Sequence, residues 1–396
     1  MGDIVVDYVN EIDDELEIEQ ISDEEAYPFI TWVGEEVDEA YYKAVMGIEI
    51  NPGLDKSDFK IVYSPQHGAD NIPVRTCLKR LGYDIVPVLA QCAPDPDYTN
   101  TKSPNPEVDA SYELAIKLAK EVDADVVAIT DPDGDRLGVV AKHNGEYVLM
   151  SGNQSAAVYL EYILSQRKEK GTLPDNAVMY NTIVTSDLGE LVARNYGVDV
   201  EKTLTGFKFI GDKIRKYEKT HEKQFIFGYE ESYGCVVEDF VRDKDAVQAV
   251  LLAAECGNYY KKQGKDLIDV LNELYAKYGT FKESQIALAK AGAAGAARIK
   301  EMMDTLRQDK PTEIGGVKVV LSEDYATSER SDGTTIDLPK SNVLKYYLED
   351  GSWIAARPSG TEPKCKFYFS IKGKDAKDAA DKTEVFHKAM MELIGE

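Results

Sequence analysis

From Lys60 onward, β-branched and aromatic runs alternate with amphipathic stretches, and this alternation constrains the fold of the 396-residue chain more than any other feature. Ile61-Val62-Tyr63, Ile85 to Leu89 and Val126-Val127-Ala128-Ile129-Thr130 read as strands, with helices over Val74 to Leu81 and Tyr112 to Val122 between them. Strands alternating with helices are joined by right-handed crossovers. The result is a parallel or mixed sheet covered on both faces, with function carried by the loops at strand ends. A second unit of the same kind follows. It has a helix from Ser155 to Arg167, strand-like Val178-Met179-Tyr180 and Ile183-Val184, and a helix that Ser186 can cap and Gly197 stops. A helix ending near Lys219, strand-like Phe225-Ile226-Phe227, and a helix turning Val247, Leu251, Leu252 and Ala254 inward complete it. Past Tyr278 the pattern changes. Strands at Ser284 to Leu288, Val317 to Leu321, Trp353 to Ala356 and Phe367 to Ile371 surround a Gly/Ala-rich helix and precede a closing helix from Ala376 to Ile394. The expected class is α/β: two mixed-sheet α/β domains, then a smaller α+β C-terminal domain with an antiparallel sheet.

The loop after the third strand, Asp131-Pro132-Asp133-Gly134-Asp135-Arg136, places three carboxylates at alternate positions across a turn. Such a set repels itself unless a cation neutralises it, and all-oxygen ligands suit a hard divalent ion, Mg²⁺ foremost. Arg136 beside it offers a planar fork for a phosphate. An EF-hand is excluded, because its sixth and twelfth positions require Gly and Glu where this chain has Arg136 and Lys142. A solvated acidic turn without an ion is the plain alternative. Ser64-Pro65-Gln66-His67-Gly68 also follows a strand and reads as a tight turn rather than a Ser–His pair.

Three further loops offer groups for an anionic, hydroxyl-rich ligand. Thr205-Gly206-Phe207-Lys208 opens a helix with backbone amides and a hydroxyl. Gly228-Tyr229-Glu230-Glu231-Ser232-Tyr233-Gly234 brackets carboxylates and hydroxyls that match the partners sugar hydroxyls want, and Lys244 follows at the start of the next helix. Arg357-Pro358-Ser359-Gly360-Thr361-Glu362-Pro363-Lys364, with Lys366 just beyond, combines a guanidinium, hydroxyls and a glycine in the outline of a phosphate clamp. Each loop taken alone is also an ordinary polar turn.

A formal net charge of −25 argues against nucleic acid or an anionic membrane as partner and leaves small anions held by local Lys and Arg clusters. Five dispersed cysteines without a C-x-x-C pair read as reduced thiols, and Met1 is followed by acidic residues rather than a leader pattern, so a cytoplasmic protein is expected. Asp3 to Glu19 begins as an amphipathic helix with nothing before it to cover its apolar face.

In order and content these loops resemble those of the α-D-phosphohexomutases, and within them the bacterial glucose-handling branch, whose metal loop has the form D-x-D-G-D-R, sugar loop G-E-x-S and distal loop R-x-S-G-T. Tyr229 departs from the simplest sugar-loop form and leaves Glu230 and Ser232 as the matching pair; the Glu-Glu-Ser version is more similar to glucose-specific members. The resemblance implies reversible interconversion of glucose 1-phosphate and glucose 6-phosphate through glucose 1,6-bisphosphate. Asp131, Asp133 and Asp135 would hold Mg²⁺, and Arg136 would steady the phosphoryl group. Thr205, Gly206, Glu230 and Ser232 would contact the sugar, Arg357, Ser359, Gly360 and Thr361 the idle phosphate, and Lys244 would serve as acid/base or phosphate contact. The family's first domain carries a T-A-S-H-N-P-type loop with the phosphorylated serine, and no such loop occurs in these 396 residues. The implied organisation is a remnant helix of that domain at 1–20, a metal domain at 21–150, a sugar domain at 151–277 and a phosphate domain at 278–396. The chain alone is then expected to be inactive, with the first domain a candidate partner in trans. A noncatalytic Mg²⁺-dependent sugar-phosphate-binding fragment is the alternative. A haloacid-dehalogenase-type phosphatase using Asp131 would leave the other loops unexplained.

Overall fold

The computed structural model describes residues 2–290, 292–360 and 363–396. They form two compact units, Met1–Lys43 and Ala44–Glu396. In the first, helix Gly2–Asn10 is followed by single turns at Glu15–Glu17, Asp23–Ala26 and Tyr27–Phe29. The amphipathic pattern predicted helix from Asp3 toward Glu19. It stops at Asn10, and the Asp14 side chain accepts the Leu16 amide at 2.9 Å, a local bond that competes with helix continuation. Ile4, Val5, Tyr8 and Val9 on that helix are each more than half exposed.

The second unit contains three sheets. The first runs Asp84–Pro87, Lys60–Ser64, Val126–Thr130, Leu137–His143, Glu146–Met150, parallel across its first three strands and antiparallel thereafter. The second runs Asp199–Thr203, Ala177–Thr182, Gln224–Tyr229, Cys235–Val236, again parallel with an antiparallel last pair. The third is antiparallel, in the order Thr280–Ala289, Lys364–Gly373, Trp353–Pro358, Leu344–Leu348, Val317–Asp324, Glu313–Ile314. The fold is thus two mixed-sheet α/β domains and an antiparallel α+β domain. No helix among the described residues is long and apolar enough to cross a membrane.

Ile183-Val184, expected as a strand, is a turn after Ala177–Thr182. Both side chains are buried because they enter a core shared with the antiparallel domain, among Leu204, Tyr325, Val343 and Trp353. Across the same joint the fully buried Lys345 ammonium donates to the Ile183 carbonyl at 2.7 Å and stands 4.0 Å from the Trp353 ring centre. Ser186 bonds the Leu188 amide only at 3.4 Å, and Asp187 occupies the cap position instead.

Candidate ligand site between the sheets

The acidic loop joins two antiparallel strands, Val126–Thr130 and Leu137–His143. Its turn is closed from within: Asp131 Oδ1 accepts the amides of Asp135 at 3.0 Å and Arg136 at 2.9 Å, and Gly134 at φ 75° donates to the Asp131 carbonyl at 3.1 Å. Asp131 is buried, Asp135 half-buried and Asp133 exposed, and their ligand oxygens lie within 4.8 Å of one another. Arg136 folds over the group, with Nε 3.4 Å from Asp131 Oδ2 and 3.5 Å from Asp135 Oδ1. Burial pushes the Asp131 carboxyl up to about 7, and the charges of Asp135 and Asp133 add to this while the Arg136 amide opposes it. Asp70, which no sequence pattern marked, lies against the same turn: a Cβ on Gly134 would stand 2.4 Å from its Oδ1. Burial, then Asp245 and the three loop carboxylates, raises Asp70 to about 7 as well. Asp135 Oδ1 is buried without a hydrogen bond. Crowded, desolvated carboxylates with an unsatisfied oxygen fit a hard divalent cation.

The second sheet brings the hydroxyl-rich loop to this edge. Arg136 and Gly234 form an antiparallel bridge, and the Leu137 amide donates to the Tyr233 carbonyl at 2.9 Å. Gly152 permits close approach of that loop, since a Cβ there would stand 2.5 Å from the Glu231 carbonyl. Glu230, buried, accepts the Gly206 amide at 2.8 Å, so it joins the Thr205-Gly206 turn to the loop. Lys244 precedes helix Ala246–Lys261, whose first amides are capped by Asp245, and its Nζ reaches Asp135 Oδ2 at 3.2 Å and Asp243 Oδ1 at 2.9 Å. Burial works against the Lys244 charge, but the Asp243 bond and Asp135 outweigh it and hold the group above its ordinary value.

Ser232 lines a cavity of about 210 Å³ together with Glu107, Glu231, Tyr233, Lys366 and Tyr368. Within it, burial followed by the Glu230 charge lifts Glu231 to about 7. The distal loop connects strands Trp353–Pro358 and Lys364–Gly373, with Ser359 donating its amide to the Lys364 carbonyl at 2.7 Å. Arg357 pairs in register with Lys366 and lies close enough to Tyr368 to temper the rise that burial imposes on that phenol. Ser359 and Gly360 are not brought to the Ser232 cavity; they line a separate cleft against helix Gly292–Asp309. Thr361 lies outside the described residues. The structure therefore gathers Asp131, Asp133, Asp135, Arg136, Lys244, Glu230 and Gly206 into one chain of contacts. Thr205 adjoins it, with its hydroxyl buried and unbonded. Ser64 and His67 do not form a pair: the Ser64 hydroxyl donates to Gln91 at 2.6 Å and His67 Nδ1 to the Ala93 carbonyl at 2.7 Å.

Sequence reading missed Asp70 and Glu107. The only available signals were an acid just past the first strand's His-Gly turn and an acid after Pro-Asn-Pro.

Two mixed α/β sheets meeting at an acidic loop, together with an antiparallel third domain, define a multidomain α/β protein whose candidate site draws on several domains. Family models match in that order: phosphoglucomutase/phosphomannomutase α/β/α domain II over residues 39–145, α/β/α domain III over 151–278, and the C-terminal domain over 292–386. The phosphoglucomutase of Staphylococcus haemolyticus is 36% identical over 376 residues, 93% of this chain and 67% of that protein. That of Staphylococcus epidermidis is 38% identical over 346 residues, 86% of this chain and 62% of that protein. In fold, the chain is similar to pp63/parafusin, a phosphoglucomutase from Paramecium in its open form, with TM-score 0.66 and 18% identity over 91% of this chain and 63% of that one. The chain belongs to the phosphoglucomutase/phosphomannomutase family and spans about two thirds of the length of these curated relatives.

Proposed function

We propose that the chain supplies the metal, sugar and idle-phosphate sites for interconverting glucose 1-phosphate and glucose 6-phosphate through glucose 1,6-bisphosphate. The observation that carries the reading is the convergence of the acidic loop with Lys244 at 3.2 Å and, through the bridge at Arg136 and Gly234, with the Glu230 loop. Asp131, Asp133 and Asp135 would hold Mg²⁺, which when bound neutralises charge at a phosphoryl oxygen. Arg136 orients that phosphoryl group by a planar contact. Glu230 and Ser232 accept and donate to sugar hydroxyls, while Arg357, beside Lys366 and Tyr368 of the same cavity, grips the phosphate that is not reacting; Ser359 and Gly360, which line a separate cleft, and Thr361 are assigned to that phosphate by the family resemblance alone. Lys244, held beside the acidic loop by Asp135 and Asp243, is placed to contact a phosphate oxygen or to act as acid/base at the sugar oxygen. The Staphylococcus relatives carry the name phosphoglucomutase, which supports glucose over other hexoses. A binding-only role for these 396 residues by themselves is favoured by one observation: they contain no T-A-S-H-N-P-type serine loop.

Calorimetry tests the proposal. Wild-type chain should bind glucose 1-phosphate in the presence of Mg²⁺ and bind free glucose negligibly; equal affinity for both would remove the phosphate site from the account. Asp133→Asn, which deletes one charge from the exposed side of the loop without touching its internal hydrogen bonds, should lower Mg²⁺ affinity by about tenfold or more. Unchanged Mg²⁺ titration would contradict the metal assignment. Arg357→Lys should weaken glucose 1-phosphate binding about tenfold, because an ammonium cannot reproduce the two-point guanidinium contact. Identical isotherms for wild type and this variant would sink the clamp.

A further inference from the structure

Glu107 lies outside every motif named above, yet three parts of the site meet at it. Its Oε1 is 3.2 Å from Arg136 Nη1, its Oε2 accepts from Gln285 of the antiparallel domain at 3.5 Å, and it lines the cavity that holds Glu231 and Ser232. The loop that carries it is held rigidly. Glu107 donates its amide to Asn105 Oδ1 at 3.0 Å, and the buried Ser111 hydroxyl bonds the Asn105 carbonyl at 2.7 Å. The Tyr112 phenol bonds the Pro106 carbonyl at 2.7 Å. Tyr112 packs in turn on the strand after the acidic loop, where a Cβ on Gly138 would stand 1.9 Å from its oxygen. These bonds tie down the backbone at Asn105 and Pro106 and so bring the Glu107 carboxylate to Arg136 and Gln285.

With side chains 34% and 24% exposed, this ion pair adds little to global stability. Its effect is orientational. Arg136 has Nη1 on Glu107 and Nε toward Asp131 and Asp135, while Nη2 makes no hydrogen bond to any described residue. Without Glu107 the guanidinium is free to turn about its long side chain, and its fork no longer faces one direction. We infer that Glu107 is a positioning residue that holds the Arg136 guanidinium in the attitude in which it meets a phosphoryl group. This rests on the phosphate-ester reading of the site.

Four chains decide it: wild type, Glu107→Ala, Arg136→Ala and the double variant, with Glu107→Gln in reserve should Glu107→Ala fail to fold. The first readout is the ¹⁵N{¹H} NOE of the Arg136 Nε–Hε pair, assigned by its disappearance in Arg136→Ala. The second is glucose 1-phosphate affinity with Mg²⁺. Glu107→Ala should free the guanidinium and weaken glucose 1-phosphate binding about tenfold, Glu107→Gln should fall between, and Glu107→Ala should change nothing further once Arg136 is gone. Mg²⁺ affinity measured without sugar phosphate should change far less than glucose 1-phosphate affinity, because Glu107 reaches the acidic loop only through Arg136. Several results would overturn the inference: an Arg136 signal as ordered in Glu107→Ala as in wild type, tighter glucose 1-phosphate binding from simple loss of repulsion, or an equal loss in the Arg136→Ala background. If the wild type binds no glucose 1-phosphate at all, the proposed function fails, while the NOE still decides whether Glu107 orients Arg136.

Discussion

Incubated with Mg²⁺, glucose 1,6-bisphosphate and glucose 1-phosphate, the 396-residue chain by itself should form no glucose 6-phosphate above a blank. A mutase must hold a phosphoryl group between two half-reactions, and contacts that stabilise a transition state do not provide the covalent carrier. The strand-end serine nearest the acidic loop in sequence pattern, Ser64, is fully buried with its hydroxyl donated to Gln91, and the neighbouring His67 is occupied by a backbone carbonyl. Ser64 is sealed from any substrate, and His67 is 8% exposed with its Nε2 buried, so neither is presented to a phosphoryl group. The loss is expected to be the whole rate enhancement, which for enzymes of this difficulty is about a millionfold or more. A first domain from a close relative, added in trans, should restore part of it. A coupled glucose-6-phosphate assay is sufficient, with host mutase excluded by immunodepletion. Turnover by the bare chain that survives Ser64→Ala would mean another side chain carries the phosphoryl group.

Gly68→Ala should cost stability and metal binding together. A Cβ at Gly68 would stand 2.5 Å from Pro132 Cα, 2.7 Å from the Pro132 carbonyl oxygen and 2.8 Å from the Pro65 carbonyl oxygen, all backbone atoms that cannot rotate aside. The adjacent Ala69 amide donates to that same Pro132 carbonyl at 2.9 Å, so the first turn and the acidic loop cannot separate cheaply. Overpacking of this kind costs about 1–3 kcal/mol. Because the displaced backbone is Pro132, between Asp131 and Asp133, Mg²⁺ affinity should fall about tenfold or more as the carboxylates lose their common focus. Gly53→Ala, with nothing within 4 Å of the new methyl group, is the matched control and should change neither quantity. Denaturant melts and Mg²⁺ calorimetry on both variants give the answer. A Gly68→Ala chain that binds metal normally would show that the loop is not braced from this side.

Elements whose burial is uniform were legible in the sequence. Val126–Thr130 is buried at every position, so its β-branched run is unbroken. Strand Asp199–Thr203 was not legible, because it lies at a sheet edge and uses Glu201 and Lys202 to pair with Lys213, Lys223, Asp187 and Glu190. Leu344–Leu348 was hidden by a lysine at its second position whose burial only the joint with the neighbouring domain explains. The same joint makes Ile183-Val184 apolar without making it a strand. At the site, the acidic loop was readable because its spacing is local in sequence. Glu107 and Asp70 were not, because each reaches the loop through tertiary packing, across 29 residues in the case of Glu107 and Arg136.

Lys345 bears on whether the matched domains can be treated as interchangeable parts. Borders drawn along the sequence suggest modules that could be cut out or grafted between relatives. A graft at the start of the antiparallel domain would, however, strip the Lys345 ammonium of the Ile183 carbonyl and wet the face carrying Trp353, Tyr325 and Val343. Compatible exchange must therefore carry the 183–184 turn along with the domain that meets it. For these two domains, the heritable unit is the joint rather than either half.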